Sequence, residues 1–193
     1  MSDVTGVASG LWLVPDGTAP RGDRPARGQA RERAWAALQQ VPDPEVPAIS
    51  VCELGIVRDL HLSEDGQGIQ VVLTPTYSGC PATEVIERSV IDALQAAGFG
   101  PVSVSLQRAP AWTTDWISAE GKRKMREYGI APPGPADHAP IRFVRRATAA
   151  PVLDCPRCGS AHTEQLSAFG STACKALHRC LACREPFEAF KSI

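Results

Sequence analysis

Between residues 30 and 130 the apolar positions pass through a succession of periods. In RERAWAALQQV, Ala34, Trp35, Leu38 and Val41 share one stripe at helical spacing, and Pro42 and Pro44 end the helix. A proline-stiffened turn and a short connector follow, and then two short alternating runs. Leu60 and Leu62 alternate with polar neighbours, Ile69, Val71 and Leu73 do the same, and SEDGQG between them supplies the turn of a β-hairpin. The strongest helix comes next. Pro81 suits its first turn, Ala82, Val85, Ile86, Ser89, Val90, Ala93, Leu94 and Ala97 recur every three or four residues, and Gly98 offers a left-handed stop. Val102, Val104 and Leu106 alternate into a third strand. A last short helix has Ser118 to cap it and Gly129 to end it.

The order α-β-β-α-β-α predicts an α+β fold, a small mixed β-sheet with helices packed on it. The long helix is a crossover between strands two and three, which leaves two arrangements open: those strands are parallel neighbours, or another strand lies between them. Residues 1–29, rich in Gly, Pro, Ala and Arg without sustained periodicity, read as a flexible arm. Residues 30–130 form the α+β domain, the Pro- and Ala-rich residues 131–151 a linker, and residues 152–193 a second, cysteine-dense domain.

Composition narrows the function classes. The 193 residues are 44% hydrophobic and 21% charged with a formal net charge of -1, so no global field attracts nucleic acid or an anionic membrane. No apolar run approaches a membrane span of about 20 residues, and the start lacks the features of a secretory signal, so a cytoplasmic protein is expected. Charge is uneven all the same. Residues 41–70 carry six acids against Arg58, a net of -5, whereas residues 119–150 carry seven bases against three acids, a net of +4. Solvated faces account for this pattern, and so does a polar docking surface for a protein partner.

Cysteine is the main chemical signal. Four of the seven cysteines form two CxxC pairs, Cys155 with Cys158 and Cys180 with Cys183, separated by 21 residues. That spacing matches the two knuckles of a zinc ribbon, predicted here as the C-terminal fold. Structural zinc, an iron centre or iron–sulfur cluster, and a redox pair all remain open from spacing alone. Four thiolates on one zinc leave no open coordination position, so such a centre stabilises a fold or a contact surface and activates no water. His162 and His178 read as surface or supporting residues. Cys174, in FGSTACKA, is a fifth cysteine in this module: either a small buried residue or a reactive thiol that handles transferable metal.

Cys80 stands between Gly79 and Pro81 at the start of the long helix, whose free N–H groups and positive end are expected to favour thiolate. A catalytic nucleophile also needs a base, and no histidine lies nearby in sequence. A soft ligand that transiently holds iron or a cluster fits better, with Asp43 and Glu45 as oxygen donors if folding brings them near; a purely structural Cys80 stays open. Cys52 reads as a packing residue.

DPEVPAISVCELGIVRDL, TPTYSGCPATE and APAWTTDWISAEGKRKMREYGIAPP, followed by CPRCGS, FGSTACKAL and CREPFEAFKSI, resemble the PaaD (PaaJ) family, accessory components of the bacterial phenylacetyl-CoA epoxidase system. The similarity runs from about Arg33 to Ile193. The middle domain alone is similar to the SufT-like family of iron–sulfur assembly factors. The resemblance implies a non-catalytic accessory or maturation subunit in aerobic phenylacetate degradation, which helps to assemble iron or an iron–sulfur cofactor in the oxygenase or its reductase. It implies cluster or iron handling at Cys80 with the acidic turn of Asp43 and Glu45, and zinc on Cys155, Cys158, Cys180 and Cys183. The residues agree on what is missing: there is no helical Glu-x-x-His pair for a diiron site and no Gly-rich nucleotide fingerprint. The rival expectation is a zinc-ribbon scaffold that only organises the oxygenase. Self-association is left open.

Overall fold

The computed structural model of the chain describes residues 24–77, 79–134 and 153–192. The first half is built on a three-stranded sheet of β1 (Val57–Leu62), β2 (Ile69–Leu73) and β3 (Val102–Leu106), in that order across the sheet. β1 and β2 form the expected antiparallel hairpin. β2 and β3 are directly adjacent and parallel, with Ile69 opposite Val102 and Leu73 opposite Leu106, which decides between the two arrangements that the crossover left open. The crossover helix α2 (Thr83–Ala96) buries Ile86, Val90 and Leu94. After it the chain reverses through Gly98 at φ +86, a conformation glycine adopts without Cβ strain.

The helix α1 (Arg24–Leu38) begins earlier than the sequence pattern indicates, so residues 24–29 of the expected arm are helical; residues 1–23 lie outside the described part. Pro25 falls in the first turn, where its missing N–H leaves no bond unmade. The helix is anchored by contacts distant in sequence. Arg27 donates to Leu62 O at 3.3 Å, and Arg31 donates to Leu60 O at 2.7 Å and Asp59 Oδ1 at 2.9 Å. These arginines hold α1 to β1, the edge strand, while Ala30, Ala34 and Leu38 enter the core.

A tight connector joins α1 to β1. Asp43 Oδ1 accepts the N–H groups of Glu45 at 2.9 Å and Val46 at 2.8 Å, closing the turn. Ser50 and Glu53 then form a reciprocal capping pair, Ser50 N to Glu53 Oε2 at 2.8 Å and Glu53 N to Ser50 Oγ at 3.1 Å. Gly55 follows at φ +77, so close to Trp116 that a Cβ would lie 2.7 Å from its carbonyl oxygen. Helix α3 (Ala119–Tyr128) is capped by Ser118 Oγ, which accepts the Gly121 N–H at 2.9 Å, and ends at Gly129 with φ +97.

The chain then enters a second sheet. β4 (Ile130–Ala131), β5 (Thr163–Ser167), β6 (Lys175–Cys180) and β7 (Pro186–Phe190) lie in the order β4-β7-β6-β5. β4 pairs in parallel with β7, Ile130 opposite Glu188 and Ala131 opposite Ala189. The boundary that composition suggests at residue 131 therefore falls inside a strand of the C-terminal sheet. The remaining linker residues, 135–151, are outside the described part. Phe190 and Cys174 belong to the main core, and the Phe190 ring meets Trp112 at 5.9 Å between centroids. A second, small cluster joins Ala131, Cys180, Phe187 and Ala189 of the C-terminal sheet to Cys155 in the turn ahead of β5. Among the described residues no helix is long and apolar enough to cross a membrane.

Candidate functional site

Two CxxC turns, one ahead of β5 and one joining β6 to β7, bring Cys155, Cys158, Cys180 and Cys183 together, with all four sulfurs within 4.8 Å of one another. Cys155 Sγ is 3.8 Å from Cys183 Sγ, and Cys158 Sγ is 3.6 Å from Cys180 Sγ. A tetrahedron of thiolates with metal–sulfur bonds of about 2.3 Å separates its sulfurs by about 3.8 Å, so these residues fit one tetrahedral ion. The turns themselves are alike. The residue after each second cysteine, Gly159 or Arg184, is left-handed, with φ 73 and 68. That bend lets backbone N–H groups face sulfur. Cys183 N donates to Cys180 Sγ at 3.4 Å, and the bond pulls the Cys180 thiol down to about 6. His178 is buried against Phe187, ring centroids 5.6 Å apart, and lies outside the four-sulfur group.

Cys80 lies elsewhere, at the floor of the main sheet's crossover. The turn of Pro81 and Ala82 separates it from the helix proper, which starts at Thr83. The Cys80 carbonyl accepts from Thr83 N at 3.2 Å and from Thr83 Oγ1 at 2.8 Å. The expectation that the helix end favours thiolate is not met. Burial raises the Cys80 thiol above its ordinary value and outweighs the Ala82 N–H; the Glu45 and Asp43 carboxylates raise it further.

Folding brings Asp43, Glu45, Cys80 and Cys174 to the lining of one cavity, roofed by Leu54, Ile56, Leu73, Leu106 and Phe190. Its volume is about 10 Å³, room for one water-sized body. Asp43 is only 4% exposed and its carboxyl is raised, chiefly by burial. Larger surface grooves of about 280, 390 and 440 Å³ lie away from this point and are lined by no histidine.

The meeting of Cys174 with Glu45 is the feature that sequence reading missed. The Cys174 thiol donates to Glu45 Oε2 at 3.4 Å, across 129 positions, and contacts Thr172 Oγ1 at 3.1 Å. Burial pushes this thiol to about 11. Beside it, buried Lys175 donates to Glu45 O at 3.3 Å and pairs with Glu188 Oε2 at 2.8 Å. Tyr77 was also missed, although it stands in the same TPTYSGCP stretch. Its hydroxyl is raised by desolvation first, and then by Cys80, Glu45 and Cys174. Cys52 is pushed to about 12 by burial, as a packing thiol would be.

Residues 140–191 match the PaaD zinc beta ribbon domain, and residues 31–106 match the family of iron–sulfur cluster assembly proteins. A protein of Escherichia coli (strain K12), named as a subunit of 1,2-phenylacetyl-CoA epoxidase, is 49% identical over 160 residues, covering 82% of this chain and 91% of its own length. Two solved structures are also similar. A domain of unknown function from Bacillus anthracis is 24% identical, covers 52% of this chain and 94% of its own, and has a TM-score of 0.48. A Mycobacterium tuberculosis protein, described as associated with Fe–S complex assembly and repair, is 28% identical, covers 62% and 98%, and has a TM-score of 0.30. Identity at this level over nearly the full length of the E. coli protein, with the ribbon in place, shows that the chain belongs to the PaaD family of phenylacetyl-CoA epoxidase components.

Proposed function

We propose that the chain is a maturation subunit of a phenylacetyl-CoA epoxidase system, which carries iron or an iron–sulfur unit to the oxygenase or its reductase and performs no epoxidation itself. The observation that carries this reading is the set of groups around Cys80: a half-buried thiol facing the carboxylates of Asp43 and Glu45 in one small cavity. Sulfur and carboxylate together suit iron. The cavity holds a water-sized body, whereas a substrate of the size of an acyl-CoA fills hundreds of cubic ångströms, on the order of 300–1,000 Å³. No histidine lines it, so a cysteine–histidine nucleophile is not supported either.

In this reading Cys155, Cys158, Cys180 and Cys183 hold a structural zinc. The sulfur spacing and the match to a zinc ribbon domain support zinc, which accepts four thiolates in a closed tetrahedron and supplies folding free energy, not an open coordination position.

Wild-type chain and Cys80→Ser, each loaded anaerobically with ferrous iron and sulfide, are mixed with cofactor-free oxygenase and reductase. Wild type is expected to restore epoxidation and the variant to fail. Equal activation by both would reject the cargo role and leave a zinc-ribbon scaffold as the better account.

A further inference from the structure

Among the described residues the two sheets leave four edge strands, β1, β3, β4 and β5. An edge offers unpaired N–H and C=O groups to any other strand, and folded proteins blunt such edges with charges, bulges or short length. Three of the four are blunted. β1 carries Arg58, Asp59 and His61 and a bulge between Val57 and Asp59, and the arginines of α1 bond its Leu60 and Leu62 carbonyls. β5 carries Glu164 and a bulge between Gln165 and Ser167, and β4 is two residues long. β3 has none of these devices. Its sequence, Val-Ser-Val-Ser-Leu, is uncharged, and its register with β2 runs unbroken from Val102 to Leu106. Of the described helices and strands, only β2 and α2 pack against it.

The direction of its free groups follows from the ladder. Pro101 O accepts from Ile69 N at 2.9 Å, and Gln107 N donates to Leu73 O at 2.8 Å, so the odd-numbered positions face β2. Alternation then turns the N–H and C=O groups of Val102, Val104 and Leu106 outward, where no described strand meets them. We propose that this edge pairs with the same edge of a second copy of the chain, antiparallel and centred on Val104, joining two three-stranded sheets into one of six strands.

The strand's own pattern selects that occupant. Apolar and polar positions are symmetric about Val104, so an antiparallel copy sets Val104 opposite Val104, Val102 opposite Leu106 and Ser103 opposite Ser105. Apolar side chains meet on one face, hydroxyls meet on the other, and no like charges are opposed. In this register the outward groups are also the ones that exchange hydrogen bonds, Val104 with its counterpart and Val102 with Leu106. Leu106 is 41% exposed and lines the Cys80 cavity. Pairing covers that apolar surface in both copies, and it does so whether or not Cys80 carries a cargo.

Strand pairing over five residues makes a small interface, in the weak and transient class below about 1,200 Å² in total. A dissociation constant on the order of 10–100 μM is expected. Full-length protein carrying its ribbon zinc is followed by sedimentation from well below that range to tenfold above it. Wild type should pass from monomer to dimer, and the amides of Val102, Val104 and Leu106 should exchange more slowly as it does. Two double variants test the register. Ser103→Lys with Ser105→Lys opposes ammonium groups across the seam, and Ser103→Glu with Ser105→Glu opposes carboxylates. Each alone is expected to stay monomeric, while an equimolar mixture pairs; retained zinc and unchanged circular dichroism show that both are folded. Wild type that stays monomeric over the whole range overturns the proposal. So does a dimer that leaves exchange at the three outward amides unchanged, a variant that dimerises alone as wild type does, or a mixture that remains monomeric.

Discussion

Gly55 shows how a single position constrains the scaffold behind the cavity. Its φ of +77 and the Trp116 carbonyl 2.7 Å from any added Cβ leave no room for a side chain. Gly55→Ala is expected to lower the unfolding free energy by about 1–3 kcal/mol, measured from urea denaturation. Glu53 makes a second, pH-dependent case. Burial alone would raise its carboxyl, but hydrogen bonds from Lys124 Nζ and Ser50 N hold it below the usual range. A carboxylate depressed in the folded state stabilises above its unfolded pKa, and that contribution is lost as pH falls through the folded value. Glu53→Gln should therefore cost up to about 1 kcal/mol at neutral pH, given the part-exposed Lys124. The difference from wild type should vanish in acid; a gap that persists there would remove the ion pair from the explanation.

The elements whose residues meet near neighbours were legible in the sequence. Helix α2 declared itself through its apolar stripe and Gly98, and α3 through Ser118 and Gly129. The start of α1 was hidden because residues 24–29 are stabilised by β1, not by their own composition: Arg27 bonds Leu62 O far along the chain. β4 was hidden for a similar reason. Two residues carry no period, and Ile130–Ala131 becomes a strand only because β7 is alongside. Phe190 in β7 ties this sheet to the main core beside Trp112. Phe190→Ala is expected to cost about 3–5 kcal/mol. Amide exchange at β4 and around Cys174 should accelerate before exchange in α2 does; uniform acceleration would mean that the ribbon is not separately loosened.

Taken whole, the molecule has one four-cysteine group written in a local spacing and a cavity assembled by long-range folding. The CxxC pairs could be read directly because each turn is four residues long. The Cys80 cavity could be anticipated only in part, because Glu45 and Cys174 meet across 129 positions and no period records such a contact. A strong chelator should remove one zinc per chain and unfold β5, β6 and β7, since so small a module depends on its metal; the β1-β2-β3 sheet should survive, as judged by amide exchange. The central claim is that Cys80 holds iron through sulfur. X-ray absorption at the iron edge, on full-length chain carrying ribbon zinc and one ferrous ion, reads the iron's neighbours without interference from zinc. The account predicts sulfur in the first coordination shell of wild type and less of it in Cys80→Ser. A shell of oxygen and nitrogen alone, the same in both proteins, would contradict it.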